Sequence, residues 1–292
     1  MRSDAREILT FVALVFAFSC VPYAVILHTG HVGAGPGMVV RLVMWCPALA
    51  ALATCTMFRL DLSTLGWAWR PAIYEWFGYL LPLVYALPVY VVTWIAIPAA
   101  FAFGSFAQQI AATYGLAHAP RLATLMLGIP LIATLGLPLS MANALGEEIG
   151  WRGFLLPRLT RQFGFTGGCL VSGVIWALWH FPALLWADYN AGTNPRYALG
   201  CFTLMVVGLA FVMGWVRLRS GSLWPCAMLH ASHNLMVQAI FDRMTAPVGR
   251  ALYVTTEFGI GMVCTLGVVA FYFWMRRNEL PASSRQLAAE TL

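Results

Sequence analysis

What most constrains this chain is the recurrence of apolar runs long enough to cross a bilayer. They can be read near 8–27, 39–58, 76–102, 123–147, 168–186, 198–216, 222–241 and 252–275, against the roughly 17–25 residues that a helical span needs. Composition agrees: 61% of residues are hydrophobic and 10% charged, whereas soluble domains carry about 25% charged residues. Aromatic residues crowd many of the run ends, as interfacial belts do. The expectation is an all-α polytopic membrane protein with about eight transmembrane helices. The third, with Pro82, Pro88 and Pro98, and the fourth, with Pro130 and Pro138, should be kinked, because proline removes a backbone donor. No linker or internal repeat divides the chain, so one membrane domain is expected to fill residues 1–292, with a short polar tail frayed from Asn278.

Every basic residue is arginine. Alternating the eight runs across the bilayer puts twelve on the side of the N-terminus: Arg2, Arg6, Arg59, Arg70, Arg152, Arg158, Arg161, Arg217, Arg219, Arg276, Arg277 and Arg285. Five fall opposite: Arg41, Arg121, Arg196, Arg243 and Arg250. The positive-inside rule then predicts that both termini are cytoplasmic, and the net charge of +6 belongs to this bias and to anionic headgroups. The arginines form no stripe, so no nucleic-acid partner is expected. The first run extends to Leu27, longer than the 7–15-residue core of a signal peptide and without a clear cleavage site, and reads as an uncleaved helix. The seven cysteines all lie within apolar runs without C-x-x-C spacing and read as small buried hydrophobes.

Three of the runs carry polar groups at membrane depth. One holds Glu147, Glu148 and Arg152; the second holds His180; the third holds His230, His233 and Asn234. A charge at the centre of a span costs about 2.5–3.5 kcal/mol even on lenient insertion scales, so such groups are paired or functional. Glu148 and Arg152 stand four apart with the acid first, the favoured order for a helical ion pair. Glu147 points about 100° away on the helix and has no local partner. His230 and Asn234 share a face, while His233 lies on a neighbouring stripe and reads as a hydrogen-bonded interhelical contact. His28, His31 and His118 fall in loops. If the helix of Glu147 ends at Leu156 before Pro157, Glu147 lies about 15 Å from that end, with His180 about 18 Å and His230 about 12 Å from theirs. One layer and one cavity opening to the cytoplasm are predicted.

A carboxylate in a semi-dry pocket can take a proton from water, and histidine with asparagine can stabilise an oxyanion. That set suffices for amide hydrolysis without a covalent intermediate. No G-x-S-x-G serine, H-E-x-x-H metal helix or G-x-G-D aspartate is present. Glu147-Glu148-x-x-x-Arg152, Trp176-x-x-x-His180 and His230-x-x-x-Asn234 resemble the three ordered motifs of the CPBP family, the type II CAAX prenyl endopeptidases and bacteriocin-processing (Abi) proteins, over about 120–245. Phenylalanine is usual where this chain has Trp176, which reads as a change of pocket shape rather than of chemistry. The resemblance implies an eight-helix intramembrane endopeptidase of a bacterial inner membrane, acting on a membrane-associated or lipidated peptide. It makes Glu147 the water-activating base, His180 its helper and His230 with Asn234 the oxyanion site, with Glu148 and Arg152 in support. No cofactor is favoured. A zinc-dependent version, with Glu147, His180 and His230 as ligands and one open position, stays open, as does a non-catalytic transporter or bacteriocin-immunity protein on the same scaffold.

Overall fold

The computed structural model describes residues 2–33, 37–69, 71–116 and 118–281, leaving Arg70, Arg285 and the tail from residue 282 outside the described residues. Among them the chain is helical, and the only β pairing is an isolated bridge between Phe101 and Thr245. In order, α1 is Arg2–Thr29, α2 Met38–Phe58, α3 Ala72–Ala96, α4 Phe103–Tyr114, α5 Arg121–Leu135, α6 Leu137–Glu148 and α7 Leu156–Trp186. Then come α8 at Pro195–Ser220, α9 at Trp224–His233, a single turn α10 at Ala251–Val254, and α11 at Ile260–Met275. Two π-helical segments, Ile149–Leu155 and Asn234–Phe241, continue α6 and α9.

Six helical runs are long and apolar enough to cross a membrane. This differs from the eight expected runs in two places. The expected fourth and fifth runs lie in one continuous stretch, Arg121–Trp186, which folds back on itself at Gly164, where φ is +65°. Only glycine takes that conformation without strain, and it brings Thr160 against Gly168. The expected seventh run is assembled from α9 and its π segment, which together cross between α3 and α6. The chain thus passes through the bundle eight times. The expected third helix stops at Ala96 rather than 102; residues 97–102 form a loop whose backbone pairs with residues 244–246. The expected fourth helix breaks at Gly136 between α5 and α6.

Pro157 does not end the helix of Glu147, which runs on to the bend at Gly164. The missing N–H of Pro157 deprives a carbonyl on the preceding turn of its donor. Arg217 of α8 supplies one instead, donating from Nε to the Arg152 carbonyl oxygen at 3.0 Å. A glycine also fixes the packing here. A Cβ on Gly146 would lie 2.6 Å from the Met44 carbonyl oxygen, so only glycine lets α6 approach α2 closely enough to face Glu147 inward.

Both described ends of the chain lie on one face. Glu7 pairs with Arg158 at 2.9 Å and Asp4 with Arg161 at 3.2 Å, while Trp274 donates to Thr166 and Arg219 to the Glu279 carbonyl oxygen. Residues 276–279 form a 3₁₀ turn closed by an Arg276–Glu279 pair. The opposite face carries the α1–α2 and α7–α8 loops, tied together by Asp188. Its carboxylate accepts from the Val32 N–H at 2.7 Å and contacts His31 Nδ1 at 3.1 Å, giving His31 a partner that its loop position did not suggest. Five cysteines are buried as expected, but Cys20 and Cys264 are exposed on the bundle's outer surface.

Candidate active site

Glu147 and Glu148 close α6 at the point where the π-helical segment begins. The wider π turn changes the angular offset between successive side chains, and such segments concentrate at functional sites. The second π segment starts at Asn234, immediately after His233. Both motif helices are therefore remodelled at the residues singled out from the sequence.

The expected Glu148–Arg152 pair is present, at 2.9 Å and fully buried. Glu148 does more than neutralise the arginine. Its Oε1 also meets His230 Nδ1 at 2.8 Å, so one carboxylate oxygen joins α9 to the α6 helix. Glu147, 2% exposed, has no arginine partner, in line with its helical angle. It is held by indoles: Oε2 accepts from Trp176 Nε1 at 2.7 Å and from Trp151 Nε1 at 3.2 Å. Neutral donors hold the carboxylate in place without pairing it with a cation.

Trp176 thereby corrects one expectation. Phenylalanine at that position would fill the pocket but donate nothing, so tryptophan here alters chemistry as well as shape. Its ring also carries the Arg152 guanidinium at 3.9 Å, a cation–π contact that keeps the arginine behind the wall of the site. No spacing rule between separate helices could have announced either contact.

His180 donates through Nδ1 to the Trp176 carbonyl oxygen at 2.9 Å. A carbonyl only accepts, so the proton sits on Nδ1 and the neutral ring keeps a lone pair on Nε2. His180 is packed by Trp179, Phe202 and Tyr189, the last stacked at 22°. His233 is the interhelical contact expected of it, bonded to Tyr85 at 2.7 Å and to Glu257 at 2.9 Å. Glu257 and its second partner, Tyr189 at 2.9 Å, went unnoticed in the sequence. The signal was available, since Glu257 is a lone acid inside the expected eighth run.

Glu147, Trp176, His180, His230, His233, Asn234 and Glu257 all line one cavity of about 360 Å³. Glu148 and Arg152 stay outside it, in support. For the zinc alternative, Glu147, His180 and His230 share this wall, but no three His, Cys, Asp or Glu side chains among the described residues gather closely enough to hold a metal ion.

The cavity also reaches Tyr23 and Ile26 near the end of α1, Val32 in the loop after it, Val40 and Val43 at the start of α2, and Tyr189 beyond α7. His180 lies about 9 Å of helix from Trp186 but roughly 24 Å from Gly164. On α9, however, His230 lies only about 9 Å of helix from Trp224, on the side of the chain ends, so the cavity sits at mid-depth and reaches the α1–α2 and α7–α8 loops.

Residues 129–236 match the family model described as Rce1-like, type II CAAX prenyl endopeptidase Rce1-like. The CAAX prenyl protease 2 of Methanococcus maripaludis is 27% identical over 81 residues. That alignment spans 27% of this chain and 27% of the relative's own length. The matched segment holds both glutamates, Trp176, His180, His230 and Asn234, and it is in this segment that the chain is similar to Rce1-like type II CAAX prenyl endopeptidases.

Proposed function

We propose that the protein is an intramembrane endopeptidase in which Glu147 activates water. The observation that carries this reading is the state of Glu147: buried, aimed into the cavity, bonded on one oxygen by two neutral indole donors and paired with no cation. Oε1 is left to accept a hydrogen from water. His180, with its Nε2 lone pair, orients or shares that proton. The resulting hydroxide adds to the peptide carbonyl carbon, and the carbonyl oxygen takes up the charge.

His230 and Asn234 stand on the same wall as oxyanion donors. Asn234 donates through its amide. His230, whose Nδ1 faces Glu148, donates through Nε2 when protonated. Collapse of the tetrahedral species expels the amine, which receives the proton from Glu147. Oxyanion donors of this kind contribute about 10²–10³ in rate each.

The substrate class follows from the cavity's place: a membrane-associated or lipidated peptide, reached without leaving the bilayer. Of the arginines on the face of the chain's ends, Arg152, Arg158 and Arg217 are buried and bonded and do not report on orientation. Among the described residues the others still outnumber those opposite, which supports cytoplasmic termini in an inner membrane. The test is Glu147→Gln, which keeps shape and removes the base. The variant should purify with unchanged thermal stability and no cleavage of any peptide that the wild type cuts. Equal cleavage by both proteins refutes the assignment.

A further inference from the structure

Tyr189 and Glu257 belong to the cavity wall but take no part in the proposed reaction. Glu257, 5% exposed, sits in the turn between α10 and α11, directly after Thr256. Thr256 is buried and has φ +63°, a conformation that a β-branched residue adopts only where its surroundings impose it. Here they do. The Thr256 N–H donates to the Tyr90 hydroxyl at 3.0 Å, and that hydroxyl donates in turn to Asp242. Strain of this kind clusters where side chains are aimed for function, and the next side chain along is Glu257.

Both oxygens of Glu257 are engaged. Oε1 meets His233 Nε2 at 2.9 Å, and His233 Nδ1 is bonded to the Tyr85 hydroxyl at 2.7 Å. Oε2 accepts from the Tyr189 hydroxyl at 2.9 Å. The carboxylate is thus anchored to α9 and α3 on one side and holds Tyr189 on the other. Tyr189 lies in the loop after α7, where no helical ladder fixes it. Its ring stacks on His180 at 22° with centroids 5.9 Å apart, and it also meets Phe258, the residue after Glu257, at 5.2 Å.

The hydrogen bond from His180 Nδ1 to the Trp176 carbonyl oxygen does not fix the imidazole alone, because carbonyl oxygens accept over a broad range of directions. The ring can swing about that bond unless its faces are packed. Tyr189 covers one face in the near-parallel stacking that aromatic pairs favour, while Phe202 and Trp179 pack at steeper angles. The direction of Nε2 then depends on where Tyr189 is held.

We infer that Glu257 and Tyr189 are positioning residues for His180: the carboxylate holds the tyrosine hydroxyl, and the tyrosine ring holds the imidazole in the orientation the reaction needs. This rests on the reading of His180 as the helper of Glu147. The role is geometric, so it needs an acceptor oxygen at residue 257 rather than a charge. Glutamine there offers its carbonyl oxygen to Tyr189 and its amide to His233.

Two measurements on the purified full chain in detergent test this. One is cleavage of a fluorescence-quenched peptide with a prenylated CAAX end. The other is reaction with diethyl pyrocarbonate, which acylates neutral imidazole, with mass spectrometry reading His180 and His230 separately. A misplacement of about 1 Å can cost about 10² in rate, so Glu257→Ala should lower kcat about 10²-fold and Tyr189→Phe about tenfold, with KM little changed. Glu257→Gln should recover most of what Glu257→Ala loses. In Tyr189→Phe, which keeps the ring's volume, His180 should be acylated severalfold faster while His230, held by Glu148, keeps its wild-type rate; a merely destabilised protein would speed both. Equal acylation of His180 in wild type and Tyr189→Phe overturns the inference, as does a Glu257→Gln protein no better than Glu257→Ala. Acylation decides the matter if the wild type leaves this peptide uncut. Loss of cleavage in Glu147→Gln with full kcat in Glu257→Ala would keep the endopeptidase reading and remove the inference. Full cleavage by Glu147→Gln with faster His180 acylation in Tyr189→Phe would do the reverse.

Discussion

Replacing Glu148 by glutamine tests whether one buried carboxylate both holds the fold and sets the site. The sequence, which pairs it only with Arg152, predicts a loss of stability alone. The structure adds His230 on the same oxygen, Oε1, while Oε2 makes no hydrogen bond. Glutamine can therefore place its carbonyl oxygen at the Oε1 position and its amide where no bond is lost. The shape survives and the charge does not. Arg152, 1% exposed, then stays buried without its counter-ion. Breaking a buried pair from one side costs about 3–5 kcal/mol; the cation–π contact with Trp176 offsets part of this, so about 3 kcal/mol is expected. At the roughly 2–4 °C per kcal/mol of mid-sized domains, Tm in detergent should fall by about 6–12 °C. Turnover should also fall, by about 10–100-fold, the usual effect of removing a group that orients an active histidine. KM should move little, because Glu148 is outside the cavity. Thermal unfolding and steady-state kinetics on the same preparation measure both effects. A variant with wild-type Tm and turnover refutes the reasoning, and one that loses only stability returns Glu148 to the role the sequence suggested.

Asn234→Ala should lower turnover by about 10²–10³ with substrate binding little changed; a full rate would leave the oxyanion role unsupported. Zinc measured in purified wild type, His180→Ala and His230→Ala should be substoichiometric and equal in all three, whereas near-stoichiometric metal lost in either variant would favour the zinc alternative. A cysteine at Asp188, in the α7–α8 loop, should react with an impermeant maleimide in intact cells, and a reporter at the C-terminus should read cytoplasmic; the reverse pair of results would put the termini outside. The strap from Asp188 to His31 and Val32 should be sensitive to acid. Partial burial acts to raise the Asp188 carboxyl, but the Val32 N–H and His31 outweigh it and hold the group below its ordinary value. A depressed carboxyl contributes stability above its unfolded pKa and loses it as pH falls through the folded one. Hydrogen exchange at Val32 should therefore be slow at neutral pH and speed up below the usual carboxylate range, while an unchanged rate there would deny the strap any linkage.

The apolar runs by themselves determine that this is a helical membrane protein, because hydrocarbon leaves the backbone no partner but itself. Spacing within a helix determines the Glu148–Arg152 pair and leaves Glu147 without a cation, since neighbours three and four residues apart are fixed by the helical repeat. The order of the motifs is likewise written along the chain. What holds Glu147, His230 and Glu257 is not, because each is bonded across helices by Trp176, Glu148 and His233, and such pairs depend on how two helices are rotated and how deep each sits. Even depth misled while Pro157 was read as a helix end. Only the packed bundle supplies the π turn there and the Arg217 side chain that replaces the missing donor. With the helix carried on to Gly164, Glu147 lies farther along the helix from the face of the chain ends than the proline suggested. The repeat of a helix fixes which side chains share a face, and only tertiary packing decides what that face meets.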